Sequence, residues 1–153
     1  MAVLKESEMN AIKDLQSLEA TCIEKYSRYN KEAKDPVLKE LFHTLQKNEQ
    51  EHYQSLTQVL EGNVPKCDCN DTQGKNYAPK ATYAGIGASE DKKSDNYLVT
   101  DCIGTEKLAS GEYNNDVYKF SNSDVRKLLA DIQIEEQNHA EMLYKYKTLN
   151  GMC

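Results

Sequence analysis

The chain has 153 residues, 39% hydrophobic and 29% charged, and a formal net charge of −6, which suits one domain and leaves little room for two. Only seven Gly and three Pro argue against disorder despite a mean hydropathy of −0.79. The lack of any run of 18 apolar residues excludes a membrane-spanning helix, and a pI near 5.1 argues against nucleic-acid binding.

The N-terminus, Met1-Ala2-Val3-Leu4-Lys5-Glu6, turns polar at once, so no secretory signal is expected and a cytoplasmic protein is. A helical stripe then runs Ile12, Leu15, Glu19, Cys22, Tyr26, Tyr29, Ala33. Asp35-Pro36 interrupts it, with Asp as a helix cap and Pro suited to a first turn. The second stripe is Leu38, Leu41, Leu45, Glu49, His52, Leu56, Val59, ending near Gly62. Residues 62–95 read as a long connection rich in Gly, Asn, Asp, Ser and Lys, with Tyr77, Tyr83 and Ile86 as apolar anchors. The third stripe is Val99, Cys102, Glu106, Ala109, Tyr113, Asp116, Phe120, followed by a polar break with capping chemistry at Ser121-Asn122-Ser123-Asp124. The fourth is Val125, Leu128, Ile132, Glu136, His139, Leu143, Tyr146, closing at Asn150-Gly151.

Two short helix–helix connections flanking one long crossover predict an all-α four-helix bundle of two antiparallel hairpins, about 5–61 and 96–150, with crossing angles near ~20°. The halves also repeat. A shift of 87 residues places Glu19 on Glu106, Tyr26 on Tyr113, Glu49 on Glu136, His52 on His139 and Leu56 on Leu143 without a gap.

Each stripe is apolar except at one level. Glu49-Gln50-Glu51-His52 and Glu136-Gln137-Asn138-His139 are both E-x-x-H, which sets carboxylate and imidazole on one helix face. Glu19 lies 16 residues before the turn at 35, and the 49/52 pair 14 to 17 after it; Glu106 and the 136/139 pair repeat this about residue 122. At ~1.5 Å per residue, each hairpin therefore carries its three residues at one height, roughly 24 Å from its turn. Four carboxylates and two imidazoles converge on one layer of the core. In a dry interior that layer needs protonation of the carboxylates or neutralisation by two divalent cations. Bridging carboxylates with one imidazole per metal suit iron or manganese, with zinc as a substitute. A satisfied polar core layer without metal is the plain alternative.

Other polar residues fit solvated positions. His43 lacks an E-x-x-H partner and reads as a surface residue, and Glu24, Glu51, Glu112, Glu135 and Glu141 fall off the stripes onto solvated faces. Tyr26 and Tyr113 lie on the inward face, as core tyrosines with bonded hydroxyls or as redox-active groups beside a metal pair. The five cysteines, at 22, 67, 69, 102 and 153, are expected to be free thiols, with Cys22 and Cys102 in the core. Cys67-Asp68-Cys69 is not a C-x-x-C pair and completes no zinc site.

The E…E-x-x-H…E…E-x-x-H pattern resembles the ferritin-like superfamily, which includes rubrerythrins, bacterioferritins and manganese catalases. The second half, through Glu106-Lys107-Leu108-Ala109-Ser110, Tyr113-Asn114-Asn115, Arg126-Lys127-Leu128-Leu129, Glu135-Glu136-Gln137-Asn138-His139 and Asn150-Gly151-Met152, resembles the Coat F family of spore coat proteins. The superfamily resemblance implies a single ferritin-like domain over 1–153 with a carboxylate-bridged pair of iron or manganese ions reacting with O₂ or peroxide. It also implies bridging by Glu49 and Glu136, terminal ligation by Glu19 and Glu106, and one imidazole per metal from His52 and His139. Rubrerythrins carry a further carboxylate where this chain has Ala109, and thiolate pairs that it lacks. The Coat F resemblance implies an endospore-forming bacterium, a place in the spore coat and coat proteins as partners. A homodimer is a further candidate assembly.

Overall fold

A computed structural model describes residues 3–66 and 69–153. Helices are the only regular elements among these residues: α1 (Glu6–Glu32), α2 (Pro36–Leu60), α3 (Gln73–Asn76), α4 (Glu90–Val117) and α5 (Ser123–Leu149). None is long and apolar enough to cross a membrane. Cys67 and Asp68, part of the Cys67-Asp68-Cys69 reading, lie outside the described residues.

Local chemistry sets the ends of the four long helices. At the start of α1 the Glu8 carboxylate accepts the Lys5 N–H at 3.0 Å. Asp35 caps α2 by accepting from Val37 N at 3.0 Å, with Pro36 in the first turn. Asn122 caps α5 by accepting from Asp124 N and Val125 N at 2.8 and 3.0 Å. The start of α4 corrects the sequence reading. Ser89 accepts from Lys92 N at 3.2 Å, and Glu90 and Asp91 in the first turn suit the positive end of the helix dipole. Residues 90–95, read as connection, are therefore helical.

α1 packs on α2 and α4 on α5, and the two hairpins meet through α1 against α4 and α2 against α5. One end of the molecule gathers the α1–α2 turn, the start of α4 and the end of α5: Asp95 accepts from Lys34 N and Asp35 N, and Tyr146 OH donates to Asp35. At the opposite end, the Ser121 N–H reaches Glu8 at 3.4 Å. The crossover therefore runs the length of the helices, and α3 rests on α5. Of its expected anchors, Tyr83 is buried and Tyr77 partly so, whereas Ile86 is exposed.

The apolar core falls into two separate clusters. One, at the end of the α1–α2 turn, includes Tyr26, Leu38, Phe42, Leu45, Val99, Cys102, Leu143 and Tyr146. The other, toward the opposite end, includes Ile12, Leu15, Leu56, Val59, Tyr113, Val125, Leu128 and Ile132. The polar positions of the four stripes, Glu19, Glu49, His52, Glu106, Glu136 and His139, fall between the two sets along every helix and are all buried.

Candidate metal centre

Because i and i+3 share a helix face, Glu49 and His52 of α2 point inward together, as do Glu136 and His139 of α5. α1 and α4 supply Glu19 and Glu106 from the same level. The six residues of the sequence pattern meet in two overlapping groups. Glu19, Glu49, His52 and Glu136 offer atoms all within 4.8 Å of one another, as do Glu49, Glu106, Glu136 and His139. Glu49 and Glu136 belong to both.

Around His52, Nδ1 stands 2.9 Å from Glu136, 3.6 Å from Glu19 and 3.7 Å from Glu49. Around His139, Nδ1 stands 2.8 Å from Glu49, 3.5 Å from Glu106 and 3.6 Å from Glu136. The two imidazoles lie nearly parallel, 5.8 Å apart. Both Nδ1 atoms, both oxygens of Glu49 and Glu136, and Oε2 of Glu19 and Glu106 are fully buried with no hydrogen-bond partner. Even the shortest of these contacts therefore lacks the alignment of a hydrogen bond. Buried polar atoms are ordinarily paired, and the convergence of so many unpaired ones is compatible with a site that could hold cations. Carboxylate oxygen and imidazole nitrogen are the donor set that divalent iron and manganese accept.

The outer contacts fix this layer across the hairpins. Tyr26 OH donates to Glu106 Oε1 at 2.5 Å and Tyr113 OH donates to Glu19 Oε1 at 2.6 Å, each tyrosine reaching the corresponding glutamate of the other half. Both expected inward tyrosines are thus buried core residues with bonded hydroxyls. His52 Nε2 lies 2.9 Å from Glu135 Oε1, while His139 Nε2 lies 3.2 Å from the Asn48 side-chain amide.

Glu135 corrects the expectation of a solvated face: its side chain is only 17% exposed and bound to His52. The repeat held a signal for it, since residues 48 and 135 correspond and each precedes a shared glutamate. The crossover completes the arrangement. Asn70 N–H donates to Glu135 Oε2 at 3.0 Å, Asn48 donates to Gln73 at 3.0 Å, and Gly74 N–H donates to Asn138 at 2.7 Å.

Burial first and neighbouring carboxylates second push Glu49 and Glu106 well above the ordinary carboxyl range. For Glu136, burial acts upward but the His52 imidazole beside it prevails and holds it low. Burial opposes the charge on His52, yet Glu135, Glu136 and Glu19 together raise it well above the ordinary imidazole value. Burial lowers His139 to about 4.

The remaining sequence readings sort simply. His43 is exposed, and so are Glu24, Glu51, Glu112 and Glu141; Glu24 and Glu141 pair with Arg28 and Lys145 four residues on. Cys22 and Cys102 are free and buried. A second polar group went unread in the sequence. Asp35 and Asp95, both buried, accept from Val37 N, Tyr146 OH, Thr82 Oγ1, Lys34 N, Asp35 N and Tyr83 OH.

No curated protein and no solved structure matches the chain. Residues 94–152, which span nearly all of α4 and the whole of α5, match the family model of the Coat F domain, so the second hairpin is similar to that domain.

Proposed function

We propose that this chain is a spore-coat-associated protein, one ferritin-like domain over residues 1–153, whose four-helix interior is held together by two divalent ions. The Coat F similarity of α4 and α5 supports the coat assignment. The observation that carries the metal reading is the set of buried, unpartnered carboxylate and imidazole atoms directed into one layer from four helices. Glu49 and Glu136, common to both groups, would be shared between the two ions, with Glu19 and His52 holding one and Glu106 and His139 the other. Two dications balance four carboxylates, removing the cost of burying that charge. Tyr26 and Tyr113 hold the terminal glutamates in place. Bound iron or manganese would supply Lewis-acid and one-electron redox chemistry.

Metal analysis by mass spectrometry of protein reconstituted with Fe(II) or Mn(II) tests the reading. The wild type is expected to carry two ions, and Glu49→Gln and His139→Ala to lose them while remaining helical. A folded wild type that takes up no metal sinks the proposal. A fluorescent fusion expressed during sporulation in an endospore-forming host should collect at the spore shell; a diffuse signal counts against coat association.

A second reading is turnover of O₂ or peroxide at the same layer, favoured by the tyrosine hydroxyls bonded to Glu19 and Glu106. Ligand-dependent peroxidase or ferroxidase activity well above that of free metal would establish it. Activity at the level of free metal leaves the ions a structural role.

A further inference from the structure

Building on the metal reading, we propose that the two metal positions are inequivalent: the position beside His52 fills first and holds its ion more tightly, because Glu135 backs that histidine while only Asn48 backs His139. The repeat provides its own control. Glu19 and Glu106, Tyr26 and Tyr113, Glu49 and Glu136, and His52 and His139 all correspond between halves and make matching contacts. Residues 48 and 135 also correspond and reach the Nε2 atom of the opposite hairpin's histidine, but one is an amide and the other a carboxylate.

That difference has a direct chemical consequence. A carboxylate is an acceptor only, so Glu135 Oε1 at 2.9 Å keeps the Nε2 proton of His52 in place, and Nδ1, facing Glu19, Glu49 and Glu136, is the nitrogen that gives up its proton to take a cation. It also adds negative charge behind the ligand, which raises the basicity of the imidazole. Glu135 is held for this work by the Asn70 N–H, which donates to its second oxygen at 3.0 Å. Asn48 differs on each count. Its amide group, Nδ2, faces His139 Nε2 at 3.2 Å while also donating to Gln73 Oε1 at 3.0 Å. In that orientation the His139 proton sits on Nδ1, on the side of the ring where Glu49 and Glu106 lie and a cation would bind. Binding there requires the amide to turn over and accept from Nε2–H, and a neutral amide adds no charge. Glu135 is therefore a positioning residue for one metal site, with no equal in the other.

The test is a Mn(II) titration of the chelator-stripped, full-length chain, followed by the electron paramagnetic resonance signal of free Mn(II). The wild type should show two binding classes at least about tenfold apart, the scale of such outer contacts. Glu135→Gln, which keeps the shape and drops the charge, should weaken the tighter class by about 10–100-fold and bring the two together. Asn48→Asp should instead tighten the weaker class. At one equivalent of Mn(II), anomalous scattering from crystals should place the ion among Glu19, Glu49, His52 and Glu136. Two equal classes in the wild type, a first ion on the His139 side, or unchanged classes in Glu135→Gln would each overturn the inequivalence while leaving the two-ion reading intact. A folded wild type that binds no Mn(II) removes the metal reading itself.

Discussion

Asp35 and Asp95 at one end of the helices and the four glutamates at mid-height are equally buried, yet they are built on opposite principles. Each oxygen of the two aspartates accepts at least one hydrogen bond, from backbone N–H groups of the α1–α2 turn or from Thr82, Tyr83 and Tyr146. The cluster ties the crossover, the start of α4 and the end of α5 to that turn, and Asn150 extends it by accepting from Thr82 N and Tyr83 N at 2.9 and 2.8 Å. The glutamate layer keeps most of its oxygens without a partner. A polar cluster whose bonds are complete is a structural joint; one left incomplete at the centre of a core has room in its chemistry for something else.

Isosteric amides would separate the two regions most sharply. Asp95→Asn leaves one accepting oxygen where two served Lys34 N, Asp35 N and Tyr83 OH, and turns an NH₂ group toward a buried donor. A loss of about 3–4 kcal/mol is expected in denaturant unfolding, with or without metal. Glu49→Gln should change the metal-free protein by less than about 1 kcal/mol, because Glu49 already tends to hold a proton there. The same variant should abolish the stabilisation that metal gives the wild type. Equal losses for both variants without metal would erase the distinction.

The pH dependence of metal uptake sharpens the same contrast. Burial first and the neighbouring carboxylates second raise Glu49 and Glu106 above their ordinary values, which favours protons on the layer. Metal requires those carboxylates ionised; loading therefore releases protons, and affinity rises with pH. Each released proton is worth about tenfold in affinity per pH unit. His52, raised by its carboxylate neighbours, must also give up its Nδ1 proton; with n protons released, Mn(II) affinity falls about 10ⁿ-fold for each unit of acidification, and calorimetry in buffers of different ionisation enthalpy would count them. Uptake without proton release would mean the layer is ionised when empty, against the burial argument.

The difference between the regions also explains what could be read in advance. The glutamate layer was legible because it interrupts periodic apolar stripes at equal heights, a pattern carried by helix rise alone. The two hairpins were legible for the same reason, with Asp35-Pro36 and Asn122 as caps. Asp95 was missed because its partners are backbone groups at 34 and 35 and a tyrosine at 83, set by the path of the crossover. That path also hid the first turn of α4, whose polar residues 90–95 lack an apolar stripe. Glu135 was placed on a solvated face because it falls beside its stripe; only the fit of α2 against α5 brings it to His52.

The tyrosine hydroxyls give the smallest expected effect and the finest comparison. Tyr26→Phe removes the 2.5 Å bond to Glu106, and Tyr113→Phe the 2.6 Å bond to Glu19. Each deletes one hydrogen bond to a carboxylate whose other oxygen is already unpartnered, so each should cost about 1–2 kcal/mol. Their metal effects should fall on opposite positions. Glu106 groups with His139 and Glu19 with His52, so Tyr26→Phe should weaken the looser Mn(II) class by several-fold and Tyr113→Phe the tighter one, through freer terminal glutamates. A variant that keeps both ions at wild-type affinity but loses peroxide turnover would assign that tyrosine to electron transfer instead, because orientation of a ligand cannot fail without the metal registering it.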